Sequence, residues 1–515
     1  MRCVVVGMRG EWYGMTKRGG FNSKKHMKNK KFLIICVLLL TPLLLSGCKK
    51  KCPTEEDNIP GTGTFRSDCP SVGVLDAKKG LKELDFYFVF DNTDAFKEQI
   101  QAFQSKNPGL VVRTKKFANL NEYEDLIINE IAEGEGPDVF MIHNSWITKH
   151  QKKLLPIPLD LPITMPPELF RQTFFQAAAE DLIKDEKIYG MPMSMDNLAI
   201  YYNKAYFRDL LATTDSPAKL WAEIKDQVFQ LTKRDNSPER FALSGIAMGR
   251  ADNITNAVDA LYALMLQFGV KFYDEKEEHA VFAQKQAGDV ENPGVEALKL
   301  FTGFALPSYK NYSWNETITG AAPDDRDVGP FVRGKTAMIV GYPYFYDVLV
   351  QKIQTQQKLG GKYIDVKDIG IAPLPQLTTV EESGRRDTLA SYFPLVVSRT
   401  TDMPEEAWSF IQFMTSSDVL QTYYKKTHRP TSRKDMVAEQ QTDAMFGVFA
   451  FQAPFAKSLK IYDTAAYAKI FGDAIQEVVR NIATPEDALR DAQTKVTCVL
   501  RRQKGLIGPE EDCGL

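Results

Sequence analysis

The chain has 515 residues, 44% of them hydrophobic and 25% charged, with 64 Lys and Arg against 66 Asp and Glu. That is the composition of an ordinary globular protein with room for two to four domains, each long enough to bury its own core. A net charge of -2 offers no broad attraction for a phosphate backbone, and the 5 histidines form neither an HExxH nor a paired His/Cys spacing, so no nucleic acid, metal or cofactor is expected.

The first fifty residues read as an address. Lys28, Lys30 and Lys31 precede the apolar run Phe32 to Leu45, which ends in Leu45-Ser46-Gly47-Cys48. Basic residues, a short hydrophobic stretch and small residues in that order make an export signal. The run is too short to cross a bilayer comfortably, and Pro42 interrupts it. LSGC resembles the lipobox of bacterial lipoproteins, which implies cleavage before Cys48 and a diacylglycerol on its sulfur. Residues 1–47 are therefore expected to be leader, with Met27 the natural start of a compact signal. Residues 48–80, rich in Pro, Gly and acidic side chains without apolar periodicity, are expected to be a tether. Cys3 and Cys36 fall in the leader, leaving Cys52, Cys69, Cys498 and Cys513. An even count in an exported chain points to disulfides. Short loop closure favours Cys52 with Cys69 and Cys498 with Cys513, while a clasp joining the two chain ends stays open.

A globular region is expected from Leu81. Leu84 to Phe90 reads as a buried strand, Asp91-Asn92-Thr93 as an N-cap, and Phe96, Ile100 and Phe103 as one helical face. Asn107-Pro108-Gly109 turns the chain into the strand LVVRTKKF. Asn121 and Glu124 have capping-box spacing for a helix through Ile131, and Val139 to Ile142 is a third strand. Strand, helix, strand, helix, strand predicts a parallel doubly wound sheet. Ligands of such sheets sit beyond the strands' carboxyl ends, which places Asp91, Asn92, Thr93, His143, Asn144, Ser145 and Trp146 at one rim. An aromatic among polar groups at that rim suits a sugar-stacking site.

Six further segments stand in order: 96–112 (FKEQIQAFQSKNPGLVV), 134–147 (GEGPDVFMIHNSWI), 189–207 (YGMPMSMDNLAIYYNKAYF), 331–345 (FVRGKTAMIVGYPYF), 369–375 (IGIAPLP) and 391–414 (SYFPLVVSRTTDMPEEAWSFIQFM). Together they resemble the extracellular solute-binding proteins of ABC importers, in particular the large maltose-binding-protein-like sugar-binding family, over about residues 82 to 435. The resemblance implies an α/β, two-lobed periplasmic-binding-protein-like fold, each lobe a doubly wound sheet with flanking helices and the ligand cleft between them. The first lobe maps to 81–193, the second to 194–388, a crossing strand and return to 389–435, and C-terminal helices and tail to 436–515. The helix ending at Met414 supports this from its own residues, with Asp402 as cap, Pro404 in the first turn, and Ala407, Phe410, Ile411 and Met414 on one face.

The same resemblance places Asp196 at an acidic position that accepts ligand hydroxyls, with Asn197 beside it. Arg250, Asp252 and Asn253 fall on a ligand loop of the second lobe, Tyr342 and Tyr344 where relatives carry a stacking tryptophan, and Tyr392 or Phe393 at the return crossing. A carboxylate and an aromatic face are what a neutral polyol requires. Gly329 to Thr336 satisfies G-x-x-x-x-G-K-T, but no strand precedes it and an apolar strand follows, so phosphate binding is rejected.

The expected function is a non-enzymatic, lipid-anchored, monomeric receptor that captures a sugar or oligosaccharide by lobe closure and hands it to ABC permease subunits. Binding of a polyamine in the same fold is the alternative, because Asp91, Asp94 and Asp196 can also receive cations. A lipid-anchored glycosidase ranks third, since no nucleophile motif accompanies the carboxylates. Cys48→Ala is expected to move the protein from the membrane fraction into soluble or unprocessed forms, because a diacylglycerol gives stable attachment. Cell fractionation checks this, and an unchanged membrane-bound, correctly processed variant would count against lipidation.

Overall fold

The computed structural model describes residues 80–158, 165–211, 214–237, 240–286, 288–319, 325–358, 360 and 363–515. Met27, Cys48, Cys52, Cys69 and the tether up to residue 79 lie outside the described residues.

The described chain enters on β1 (Lys82–Val89), whose Leu84, Phe86 and Phe88 are buried. Helix α1 (Asp94–Lys106) lays Phe96, Ile100 and Phe103 over it, and the Asn107-Pro108-Gly109 turn, with Gly109 at φ +100, leads into β2 (Leu110–Phe117). Helix α2 (Leu120–Glu133) starts one residue before the expected Asn121. Asn119 Oδ1 accepts the Glu122 amide at 3.5 Å, and Glu124 pairs with Lys149 and His150. The segment Asp91 to Thr93 likewise does not cap α1: Thr93 makes no side-chain cap, and the Asp91 carboxylate is bound elsewhere. Strand β3 (Val139–Met141) completes the parallel trio, and β4 (Gly190–Pro192) lies at the far edge of the same sheet.

A second sheet is built around β5 (Ala199–Asn203), buried along its whole length, with β6 (Met338–Gly341) and β7 (Ile369–Pro373) on either side. Both neighbours run antiparallel to β5. The chain then returns to the first sheet as β8 (Pro394–Val397), giving the order β2-β1-β3-β8-β4 with β8 antiparallel to β3 and β4. Each lobe is α/β as expected, but the winding is mixed. A strand covered on both faces is apolar throughout, so its residues carry no mark of direction.

Two hydrophobic cores result. One gathers Leu84 to Met195 with Ala390 to Tyr423, around Trp408; the other gathers Leu198 to Leu389 with most of the chain after Phe446, around Trp221 and Trp314. Each large side chain sealed in this way contributes roughly 1.5 to 3 kcal/mol. The helix Pro404–Met414 buries the four residues expected, but Met403 occupies its N-cap and Thr401 Oγ1, not Asp402, accepts the Met403 amide. The last two helices, α3 (Thr464–Val479) and α4 (Pro485–Gln503), join the second core through Phe471, Ile475, Leu489 and Val496.

The P-loop-like string folds as the helix Val328–Val332 followed by β6, the reverse of strand then helix. Gly329 is there for packing: a Cβ would fall 1.4 Å from Asp325 Oδ1, a carboxylate paired with Arg333.

Cys498 and Cys513 form a disulfide across a sequence separation of 15, tying the chain's end to α4. Replacing both by serine should lower the free energy of unfolding by roughly 3 kcal/mol, the loop-entropy value for a ring of that size. Denaturant melts of the two proteins with equal midpoints would show that the clasp adds nothing.

Candidate functional site

The chain passes between the cores at Met195 to Leu198, and Asp196 sits in that passage. Its Oδ2 accepts from Arg429 Nη1, while Arg429 Nε donates to Asp91 Oδ1 at 3.0 Å. The Tyr423 hydroxyl donates to Asp91 Oδ2 at 2.6 Å. All three charged side chains are nearly sealed from solvent. Local structure sets this up. Helix Ser417–Thr427 ends on His428 in the left-handed region at φ +54, which turns Arg429 inward. Pro430 then accepts the Met195 amide at 3.0 Å, and Thr431 bridges Ser194, so the arginine is stitched to the strand that carries Asp196. Burial raises the Asp196 pKa and Arg429 draws it back, with Asp91 opposing the arginine. Asp196 Oδ1 is buried, and the Ser194 side chain lies close enough to help lower the Asp196 pKa.

Around this triad lies an aromatic rim. Phe90, held at φ +61 and 45% exposed, meets Phe393 edge-on at 5.6 Å, and His143 meets Phe393 at 5.0 Å. From the second lobe, Tyr344 is 40% exposed and stacks on Tyr342 at 6.1 Å and 17°. Tyr342 is buried, its hydroxyl donating to Asp259 Oδ2 at 2.9 Å and its carbonyl accepting from Tyr201 at 2.8 Å. The Tyr344 hydroxyl feels Asp259, Arg429 and Asp196, so groups of both lobes reach it. A small cavity of about 10 Å³, room for about one water, lies between Phe90, Ser194, Phe393 and Arg429. Larger hollows of about 570 Å³ beside Arg171 and Glu186, and about 400 Å³ beside Gln267 and Arg385, contain none of these rim residues.

Two further groups here have displaced titrations. Burial pushes the Asp259 carboxyl up to about 6, opposed by the Tyr342 hydrogen bond. Burial pulls His143 down to about 4. The histidine is thus neutral near pH 7, and because its Nδ1 accepts the Ser145 amide at 3.3 Å, its Nε2 carries the proton toward Ser391 Oγ at 3.0 Å.

The other expected residues lie apart from the triad. Asn92, next in the chain after Asp91, is exposed. Asn144 donates to Asp181 and Ser458, and Tyr392 donates to the same Asp181 oxygen at 2.7 Å, making a buried polar cluster. Trp146 is sealed in the first core, its indole donating to Thr464 Oγ1 at 2.8 Å. Asn197 is fully buried and joins Gln452 and the Phe449 carbonyl. Arg250 pairs with Asp252 and Glu316, and Asn253 holds Trp314 and the Asn315 carbonyl within the second lobe. Arg429, Asp259, Ser391 and Phe90 were not expected. The one signal for Arg429 is indirect: two carboxylates brought to one buried place need a cation, but sequence does not say which of 64 basic residues supplies it.

The family model of bacterial extracellular solute-binding proteins matches residues 91–421, and the chain belongs to that family. It is a family of binding proteins and not of enzymes. A binding protein of Brucella abortus (strain 2308) is 21% identical over 418 residues, covering 79% of this chain and 90% of its own. A maltotriose-binding protein of Pyrococcus abyssi (strain GE5 / Orsay) is 22% identical over 303 residues, covering 58% of this chain and 55% of its own. Among solved structures, the sugar-binding protein MalE from Xanthomonas citri shares the fold with a TM-score of 0.64 at 17% identity, covering 84% of this chain and all of that one.

Asp259 and His143 make a pH test with opposite signs. Asp259 binds its proton more tightly folded than unfolded, so it adds stability below about 4 and that contribution is lost as pH rises through about 6. His143 binds its proton less tightly folded, so its contribution is present above 6.5 and is lost as pH falls toward 4. Between pH 6.5 and 4, Asp259→Asn should therefore lose more stability than wild type and His143→Gln less. Both groups are partly exposed, so each difference should be on the order of 1 to 3 kcal/mol. Melting curves that stay parallel across this range would refute both assignments.

Proposed function

We propose that this chain is the capture receptor of an ABC importer, anchored outside the membrane by lipid on Cys48, and that its solute is a sugar or oligosaccharide. It works as a monomer, closes its two lobes on the solute and presents it to the permease subunits. The observation that carries this reading is the exposed Tyr344 ring, stacked on Tyr342, with Arg429 and Asp196 near enough to act on its hydroxyl. Sugar C–H faces pack on such rings, and a carboxylate such as that of Asp196 is an acceptor for a hydroxyl. Proteins of this fold whose names refer to maltotriose, and to sugar in MalE, support the carbohydrate class. The export signal and LSGC support the anchor.

The test is a thermal-shift screen of neutral mono- and oligosaccharides. A ligand at 100 times its Kd adds about 2.7 kcal/mol of stability. With the ligand identified, Asp196→Ala should weaken binding about tenfold to a hundredfold by calorimetry, the value of a charge-assisted hydrogen bond. Tyr344→Ala should lose a comparable amount if the ring stacks on the sugar. Solution scattering should show compaction of the wild type with ligand. Wild-type affinity in Asp196→Ala, or binding without compaction, would show the site or the mechanism to be misplaced.

A further inference from the structure

We propose that Arg429 is the residue that sets this site for neutral solutes, by filling the place between Asp91 and Asp196 that a cationic ligand would otherwise take. The inference rests on the triad and rim being the solute site.

Asp91 leaves the first strand of one lobe and Asp196 lies in the passage to the other, yet their carboxylates reach the same guanidinium. Without it, two carboxylates would face each other in a buried place lined by Phe90, Phe393 and Tyr423. Buried like charges of that kind demand a cation. An alkylammonium ligand would satisfy them, its methylenes lying against the aromatic rings. Arg429 supplies the cation from within the chain. Its planar fork serves both partners through separate nitrogens, and a lysine's single ammonium could not do so in the same positions. Arg429 reaches Asp196 through Oδ2 alone, and the Ser194 side chain lies on the same carboxylate. Asp196 is thus fixed through Oδ2, and a carboxylate oriented in this way suits a hydroxyl donor. Tyr423 fixes the second oxygen of Asp91. The site therefore holds one oriented acceptor and no unpaired pair of acids.

The experiment measures binding of spermidine, as the cationic probe, to wild type, Arg429→Gln and Arg429→Gln/Asp196→Asn by calorimetry at physiological ionic strength, where binding to scattered surface charges is screened. Arg429→Gln should bind spermidine at least tenfold more tightly than wild type, and adding Asp196→Asn should remove the gain. Because stripping a buried ion pair can unfold a protein, Asp91→Asn/Arg429→Gln, which removes one charge of each sign, is measured as well. It should fold and show no gain, since one carboxylate is gone. A folded Arg429→Gln without increased spermidine affinity overturns this inference and leaves the carbohydrate reading intact. Tight spermidine binding by the wild type overturns both. Failure of Arg429→Gln to fold would make Arg429 a structural clamp only, and the specificity role falls.

Discussion

The buried ion triad of Asp91, Arg429 and Asp196 is the constraint on which the arrangement of the site depends. Its members come from the end of the first strand, the first passage between the lobes and the segment after the helix Ser417–Thr427. Removing one partner of a buried pair typically costs 3 to 5 kcal/mol, because the remaining charge stays desolvated. These three segments are therefore held together by a requirement that hydrophobic packing alone would not impose. The Pro430 carbonyl on the Met195 amide and the bridge between Ser194 and Thr431 follow from the same alignment.

The two lobes are joined where chain passes from one core to the other, and those passages are polar inside. Asn197 and Gln452, both fully buried, bind one another, and Gln452 also reaches Leu198 while accepting the Leu374 amide. Ser391 gives its amide to the Asp196 carbonyl, and Thr388 its hydroxyl to Leu198. Backbone crossing between two cores cannot use either sheet's ladder fully, so side-chain amides satisfy it. That explains how Asn197, itself an expected ligand residue, is held: its three hydrogen bonds all lie within the passage.

Much of the first lobe was legible because its signals are local. LVVRTKKF is β2 from end to end, and Phe96, Ile100 and Phe103 mark the buried face of α1. What escaped were relations between distant segments. Strand direction in the second sheet, the partner of Asp91 at a separation of 338 residues and the lobe covered by the last two helices all depend on tertiary contact. The rim shows the same limit. His143, Asn144 and Trp146 do follow a strand end, but the direction of each side chain is set by Ser391, Asp181 and Thr464, more than thirty residues away in every case. Sequence position selects the neighbourhood, and packing selects which residue faces outward.

On the proposed reading, the division of labour between the lobes sets how closure can be driven. The triad, Phe90 and Phe393 belong to the first lobe or its edge, whereas Tyr342 and Tyr344 come from the second. A solute touching only the triad would bind open and closed forms alike and shift neither, however tightly it bound. Contact with Tyr344 is what distinguishes the two forms. The tyrosine is suited to that because its ring is supported from behind: Tyr342 stacks on it, Asp259 fixes the Tyr342 hydroxyl and Tyr201 the Tyr342 carbonyl. A face already held in place loses little conformational entropy when a solute docks on it, so more of the contact energy remains to favour the closed form.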